Sequence, residues 1–396
     1  MEIVLYVHDL YPEIGHSHAM IETLKHFPRG AIDKLTVVAF ESAELDKLFP
    51  ELAGKCYFKK VPGKKLTPFL IKLLFYQIYC LVYSYFKVAP KALELSIGIA
   101  HLRPQFVNVQ FLHFQWAKHY FSMEKMPLYK LIYKKIFFYC LQLGEQIVYG
   151  NPKTKVGALS FFVQQALIEK YNRNSTNTHL TYSGINIHKF APDLRPRREI
   201  WAELASLYPA MSKINPDKPI ALFVGAMERK GLPHILKRLE KDSSSCYQLI
   251  VVGRPETGSQ IDLSLYPGIA HIPYTKELPK FYSLADQFLF PTLYEPFGLV
   301  IIEAAIMGLE VYTLKNEVGA VELLVGLPHI NVADRIDNFD IPKPRLLSIE
   351  EKLQLREERL KRLTDYSWSE TGKSFYRLLN SSTTPTVGAE PDGKAK

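Results

Sequence analysis

Glu295 and Glu303 are the residues of this 396-residue chain whose type and spacing most clearly point to chemistry. They lie in LYEPFGLVIIEAAIMG, residues 293–308, one on a Pro-Phe-Gly turn and the other inside an apolar run. Residues 288–290 read as a strand end, Pro296, Phe297 and Gly298 as a turn, and 299–307 as a helix stopped by Gly308. Glu303 is then about one turn into the helix, and Glu295 stands just before it. Both can point into one cleft from different depths. A carboxylate accepts two hydrogen bonds at once and suits a pair of neighbouring hydroxyls. A helix N-terminus offers free N–H groups and partial positive charge, which favour phosphate. The pattern fits a ligand with a ribose at one glutamate, a sugar at the other and phosphates between. The alternative is a solvated Glu303 and an ordinary loop charge at Glu295. Ile301, Ile302, Ala304, Ala305 and Ile306 around Glu303 speak against simple solvation.

A second basic group supports this reading. In FVGAMERKG, Arg229 and Lys230 stand on a glycine-flanked loop after a strand. A planar guanidinium and a compact ammonium together suit a diphosphate. An exposed basic loop is the competing interpretation, and the glutamates nearby in the fold would decide between them. His113, between Leu112 and Phe114 near the end of the strand QFVNVQFLHF, is either a site residue or a packed, hydrogen-bonded one. His16 and His18 in GHSHA make a poor metal set, because no cysteine or carboxylate accompanies them, and no D-x-D occurs. No bound metal or other cofactor is expected.

These residues need strands that end at a cleft. EIVLYV reads as a buried first strand, followed by a loop with Gly15 and the helix AMIETLKHF. LTVVAF, QIVYG and HLTYSG supply further strands, the last two around the helix SFFVQQALIEKY. NIHKFAPDLRPRREIW is the proline- and arginine-rich linker. A second strand–helix alternation then runs through PIALFVG, LPHILKRLE, YQLIVVG, LPKFYSLA, QFLFP and LEVYTL. Strands alternating with helices, twice over, give an α/β chain with two doubly wound Rossmann-like domains facing a central cleft. The expected division is 1–195 for the first domain and 196–365 for the second. Residues 366–380 form a helix packing back on the first domain, and 381–396 a disordered tail.

EPFGLVIIE resembles the glutamate-x7-glutamate signature of retaining glycosyltransferases of family 4, which have the GT-B fold. The likeness continues in FVGAMERKG, SGINIHKF and EVGAVELL. It spans most of the chain to about Asn380 and is thinner in the first half. The resemblance implies that Glu303 binds the ribose of a nucleotide and Glu295 the donor-sugar hydroxyls. It implies backbone N–H contacts to the diphosphate around Phe297, Gly298 and Leu299, and neutralisation by Arg229 and Lys230. Gly15 would mark the loop that closes over the phosphates, and His113 would approach the donor sugar. Three departures stand out. Gly15 is followed by His16 rather than a second glycine, Ala226 stands where an arginine is common, and Leu309 replaces a usual proline. The implied activity is metal-independent transfer of a sugar from a nucleotide-sugar to a hydroxyl acceptor, a cell-envelope glycan or glycolipid. A GT-B scaffold retained only for binding is the alternative.

Composition sets outer bounds. Apolar residues are 47% and charged residues 22%, as in a globular protein, and the net charge is +9. The four cysteines form no C-x-x-C pair, which suits a reducing cytoplasm. No secretory signal pattern opens the chain. Residues 69–88 are greasy but interrupted by Lys72 and Gln77, which disfavours a span. With its flanking lysines the segment fits either an anionic membrane surface or a buried helix with a basic rim, and YKLIYKKIFFYCLQL does so more weakly. The expected location is the cytoplasm, peripheral on the inner face of the membrane. A nicotinamide-dependent oxidoreductase is disfavoured because the first loop lacks G-x-G-x-x-G. Nucleic acid is disfavoured because the lysines form no long tract.

Overall fold

The computed structural model describes residues 1–123, 127–241, 247–256 and 261–381. Residues 382–396, where the expected tail falls, lie outside the described residues, as does Cys246.

Two parallel sheets dominate. The first has seven strands in the spatial order Cys56–Lys60, Lys34–Ala39, Glu2–Tyr6, Leu93–Ile97, Phe106–Val109, Lys155–Ala158 and Thr178–Leu180. The second has six, in the order Ile269–Ile272, Gln248–Val252, Ile220–Val224, Gln287–Phe290, Glu310–Leu314 and Ile330–Ala333. Every pairing within them is parallel. Strands buried on both faces read as continuous apolar runs, and IALFV and QLIVV are buried at every position. Numbered within its own sheet, each half begins 3-2-1-4-5-6, the doubly wound order whose ligand crevice opens between strands 1 and 4. These halves are the two Rossmann-like lobes of a GT-B fold.

Several elements depart from the reading of the sequence. QIVYG is not a strand; it ends the helix Leu128–Tyr149. Val148 and Tyr149 are buried there at helical spacing, a short apolar run that periodicity cannot separate from a strand. The strand containing QFVNV stops at Val109, and His113 opens the helix His113–Met123. The linker sequence runs into the helix Arg197–Leu207.

The C-terminal helices tie the halves together. Trp368–Asn380 packs on Gly15–Lys25, with Phe375 against Phe27 and Phe106. The helix Ile349–Leu363 places two arginines at the end of the Glu303 helix. Arg359 is fully buried and donates to the carbonyls of Ala305 at 2.6 Å and Leu309 at 2.8 Å. Arg356 donates to Ile306 O at 2.8 Å and to Ile187 O in the linker at 2.6 Å. Helix C-termini leave carbonyls unpaired and carry partial negative charge, so these cations hold the helix in place. Leu309 adds an N–H bond to Ala304 O at 3.2 Å, a bond a proline could not make.

Candidate active site

The strand ends at both crevices face each other across one cavity of about 700 Å³. His8, Gly15 and His16 reach it after the first strand of the N-terminal sheet, and Gly98 and Ile99 after the fourth. Arg229 and Lys230 follow the first strand of the second sheet, and Glu295 to Val300 follow its fourth. Ligand sites of doubly wound sheets form where neighbouring loops diverge in this way. Eight of the nine sequence-predicted residues, Gly15, His113, Arg229, Lys230, Glu295, Phe297, Gly298 and Leu299, line this cleft.

The signature turn is shaped by its backbone. Gly298 has φ +98°, a conformation rare for side-chain-bearing residues. A Cβ there would also come within 3.1 Å of Glu295 Cγ and Val318 Cγ1. The turn is laced to the loop 317–320 by Glu295 N to Glu317 O at 2.7 Å, Gly319 N to Glu295 O at 2.9 Å and Ala320 N to Phe297 O at 2.8 Å. Gly298 is the N-cap of the helix Leu299–Ile306, so the helix start opens on the cleft. The Phe297 side chain is buried, which leaves its backbone to meet a ligand.

Lys230 and Arg229 converge on Glu295. The Lys230 ammonium touches Glu295 Oε2 and lies 4.9 Å from the centre of the Phe290 ring. Arg229 Nη1 lies 3.3 Å from the same oxygen. Burial pulls both cations below their ordinary pKa, and for Lys230 the neighbouring Arg229 adds to the effect. The Glu295 carboxylate thus occupies an anion position shared by two cations.

Glu303 does not line this cleft. Its carboxylate lies in an adjoining pocket of about 230 Å³, shared with His18, Glu22, Asn186, Lys189 and Trp368. Leu299 lines both cavities and so joins them. The Tyr282 hydroxyl donates to Glu303 Oε2 at 3.1 Å. Burial raises the Glu303 pKa to about 7, against the lowering effects of Tyr282 and Lys189. Glu295 thus stands on the turn before the helix and Glu303 within it, each facing its own cavity.

His113 is held by a residue the sequence did not flag. Glu145 is fully buried and accepts from His113 N at 2.6 Å, Phe114 N at 3.3 Å and the Tyr171 hydroxyl at 2.8 Å. His113 Nδ1 lies 3.0 Å from the same carboxylate. As the acceptor in this contact, the carboxylate sets the ring to donate from Nδ1, and His113 lines the cleft. This cap on free helix N–H groups explains why His113 begins a helix instead of ending a strand. Gly15 likewise opens the helix Gly15–Lys25 instead of sitting in a loop, and a Cβ there would meet nothing within 4 Å. Glu145→Ala should cost about 3 kcal/mol of stability, because it leaves buried donors without an acceptor; denaturant unfolding measures it.

Three contacts bring the halves together at the signature. The Leu112 N–H donates to the buried Tyr294 hydroxyl at 3.0 Å, next to both His113 and Glu295. The Ser160 hydroxyl donates to Pro296 O at 2.8 Å. Glu322 accepts from Phe161 N at 2.8 Å and Phe162 N at 3.3 Å, at the start of the helix Phe161–Tyr171. Tyr294, Ser160, Glu322, Tyr282 and Glu145 all escape sequence reading, because each acts on a residue distant in the chain.

This is the cleft of a GT-B fold, and comparison with known proteins agrees. Residues 218–334, within the second lobe, match the family described as Glycosyl transferases group 1, in line with the paired-glutamate resemblance. Sucrose-phosphate synthase 1 of Arabidopsis thaliana is 31% identical over 126 residues, which are 30% of this chain and only 12% of that relative's length. WaaG, a glycosyltransferase involved in lipopolysaccharide biosynthesis, superposes with a TM-score of 0.65 at 16% identity, over 95% of each chain. Anabaena HepE in complex with UDP and glucose gives 0.59 at 16% identity, over 96% of this chain and 95% of its own.

Proposed function

We propose that the protein is a retaining, metal-independent glycosyltransferase that moves a sugar from a nucleotide-sugar to a hydroxyl acceptor, a cell-envelope glycan or glycolipid. It works in the cytoplasm at the inner face of a membrane. The observation that carries this reading is the convergence of Arg229 and Lys230 on Glu295 beside the N-terminus of the helix that also bears Glu303. HepE, whose fold this chain shares, holds UDP and glucose.

In this reading Glu303 accepts from the ribose hydroxyls in the smaller pocket. The diphosphate passes over Leu299 and draws Arg229 and Lys230 away from Glu295. Glu295 is then free to accept from hydroxyls of the donor sugar, and His113 faces that sugar from the other lobe. The bond from the anomeric carbon to the diphosphate oxygen breaks. A bond to the acceptor oxygen forms on the same face, and the acceptor proton passes to the departing phosphate. The cations and the N–H groups of Gly298 and Leu299 aim at the oxygens where charge grows, which is where fixed dipoles contribute most to rate. Closure of the lobes would exclude water and limit hydrolysis.

A thermal-shift screen with UDP-, GDP- and ADP-sugars tests the reading, since a ligand that binds only the folded state raises the melting temperature. One class of nucleotide-sugar should give a clear rise; silence across all three would overturn it. Glu295→Ala should lower turnover by roughly 10- to 100-fold with little change in nucleotide affinity, because its contacts are to the reacting sugar.

A further inference from the structure

The N-terminal lobe carries an apolar face that nothing among the described residues covers. The helix Phe69–Lys87 is long and apolar enough to cross a membrane, by length and composition. In this fold its Leu73, Tyr76, Gln77 and Cys80 side pack inward instead. Tyr76 donates to the carbonyls of Val7 at 2.7 Å or Val38 at 2.8 Å, and Gln77 donates to Ile99 O at 2.8 Å. The opposite side is open, with Ile78 61%, Tyr85 82% and Phe86 70% exposed. The helix Leu128–Tyr149 repeats the pattern, leaving Leu128, Tyr129, Ile132, Ile136 and Tyr139 exposed. The Phe69 and Phe137 rings, one from each helix, meet edge to face at 5.8 Å. Both rings also line the central cleft, so the open apolar face runs up to its mouth.

The sequence of these two segments carries charge of one sign, and among its lysines Lys64 pairs with Asp9 and Glu41. From Lys55 to Leu93 there are eight lysines and no aspartate or glutamate. From Leu128 to Gly144 there are three lysines and again no acid. Lysines around a broad exposed apolar stripe complement an anionic interface with an apolar interior. A soluble protein partner would need to match an apolar area of this size with an acidic rim, while a lipid surface supplies both at once.

We infer that the faces of Phe69–Lys87 and Leu128–Tyr149 form a docking surface for an anionic lipid bilayer, seating the mouth of the cleft against the lipid. Its lysines lie at the headgroups and its exposed rings and aliphatic side chains enter the interface. The inference deepens the proposed function, on which it rests for the meaning of the cleft. It assigns the surface from which a lipid-linked acceptor reaches Glu295.

Vesicle flotation tests it. The full chain is mixed with vesicles of phosphatidylcholine alone, or of equimolar phosphatidylcholine and phosphatidylglycerol, at low and high salt. Binding should require the anionic lipid and weaken with salt. Ile78→Ser with Ile136→Ser, both exposed and away from the cleft lining, should reduce it by about tenfold or more. The nucleotide-sugar thermal shift of that variant should equal that of the parent protein. Absence of anionic-lipid binding, or binding unchanged in the variant, overturns the inference. Light scattering that shows a stable dimer abolished by the same substitutions also overturns it, because the face then meets a second copy. A normal nucleotide shift without flotation sinks only the docking surface; flotation without any nucleotide shift sinks the glycosyltransferase reading.

Discussion

Glu303→Ala should abolish measurable nucleotide-sugar binding. A carboxylate that accepts from both hydroxyls of a ribose makes two charge-assisted bonds, each contributing about 1.5–3 kcal/mol. Losing both weakens affinity by roughly 10²- to 10⁴-fold. Titration calorimetry reads this directly, and an unchanged dissociation constant would refute the ribose role. The same residue predicts a pH dependence. Its pKa is raised to about 7, above its ordinary value of 4.5, chiefly by burial. The folded state therefore binds this proton more tightly than the unfolded state. The resulting stabilisation is present below pH 4.5 and is lost as pH rises toward 7. Ligand binding runs the other way, because the diol needs the ionised acceptor. Affinity should rise with pH up to about 7, at a limiting slope of about tenfold per unit, and level off above it. Proton release on binding, measured by calorimetry in buffers of different ionisation enthalpy, should disappear in Glu303→Gln.

Lys230→Ala should lower turnover by roughly 10²- to 10³-fold, the usual cost of removing one fixed charge-stabilising donor. The buried ammonium is held by Glu295 and stands above the Phe290 ring. Its environment disfavours the free cation, so an incoming diphosphate both replaces the Glu295 contact and keeps the charge compensated. The interaction strengthens as negative charge accumulates on the leaving group. The loss should therefore fall mainly on kcat, whereas Glu303→Ala should fall on KM and on affinity. Equal losses in nucleotide affinity and turnover would assign Lys230 to ground-state binding alone. Arg229 remains beside Glu295 in the Lys230 variant, which keeps the residual site anchored.

The same two substitutions show what could be read in advance. Glu295, Glu303, Arg229 and Lys230 were legible because each sits on a short local pattern: a strand, a glycine turn and a helix start. Local patterns of this kind obey backbone stereochemistry and capping, which need only neighbours in the chain. The second lobe was read more fully than the first for this reason. Its strands are continuous buried apolar runs separated by glycine and proline. The first lobe contains two long helices whose apolar residues lie on both sides, and there the period becomes ambiguous. QIVYG fell to that ambiguity, while the helix start at His113 escaped because its cap, Glu145, lies 32 residues away in the chain.

By itself, the sequence determined the paired α/β lobes, the helix that carries Glu303 and the charges set around its start. Those features follow from the order of strands and turns, which chain-local energetics decide. Tertiary structure alone decided that Glu303 sits in its own pocket against Tyr282, and that Glu145 pins His113. It alone brought Tyr294, Ser160 and Glu322 to bridge the lobes. It also decided which sides of two greasy helices would stay uncovered. Each of these depends on groups far apart in sequence meeting in a low-dielectric interior or failing to find a partner there, and no spacing along the chain encodes that meeting.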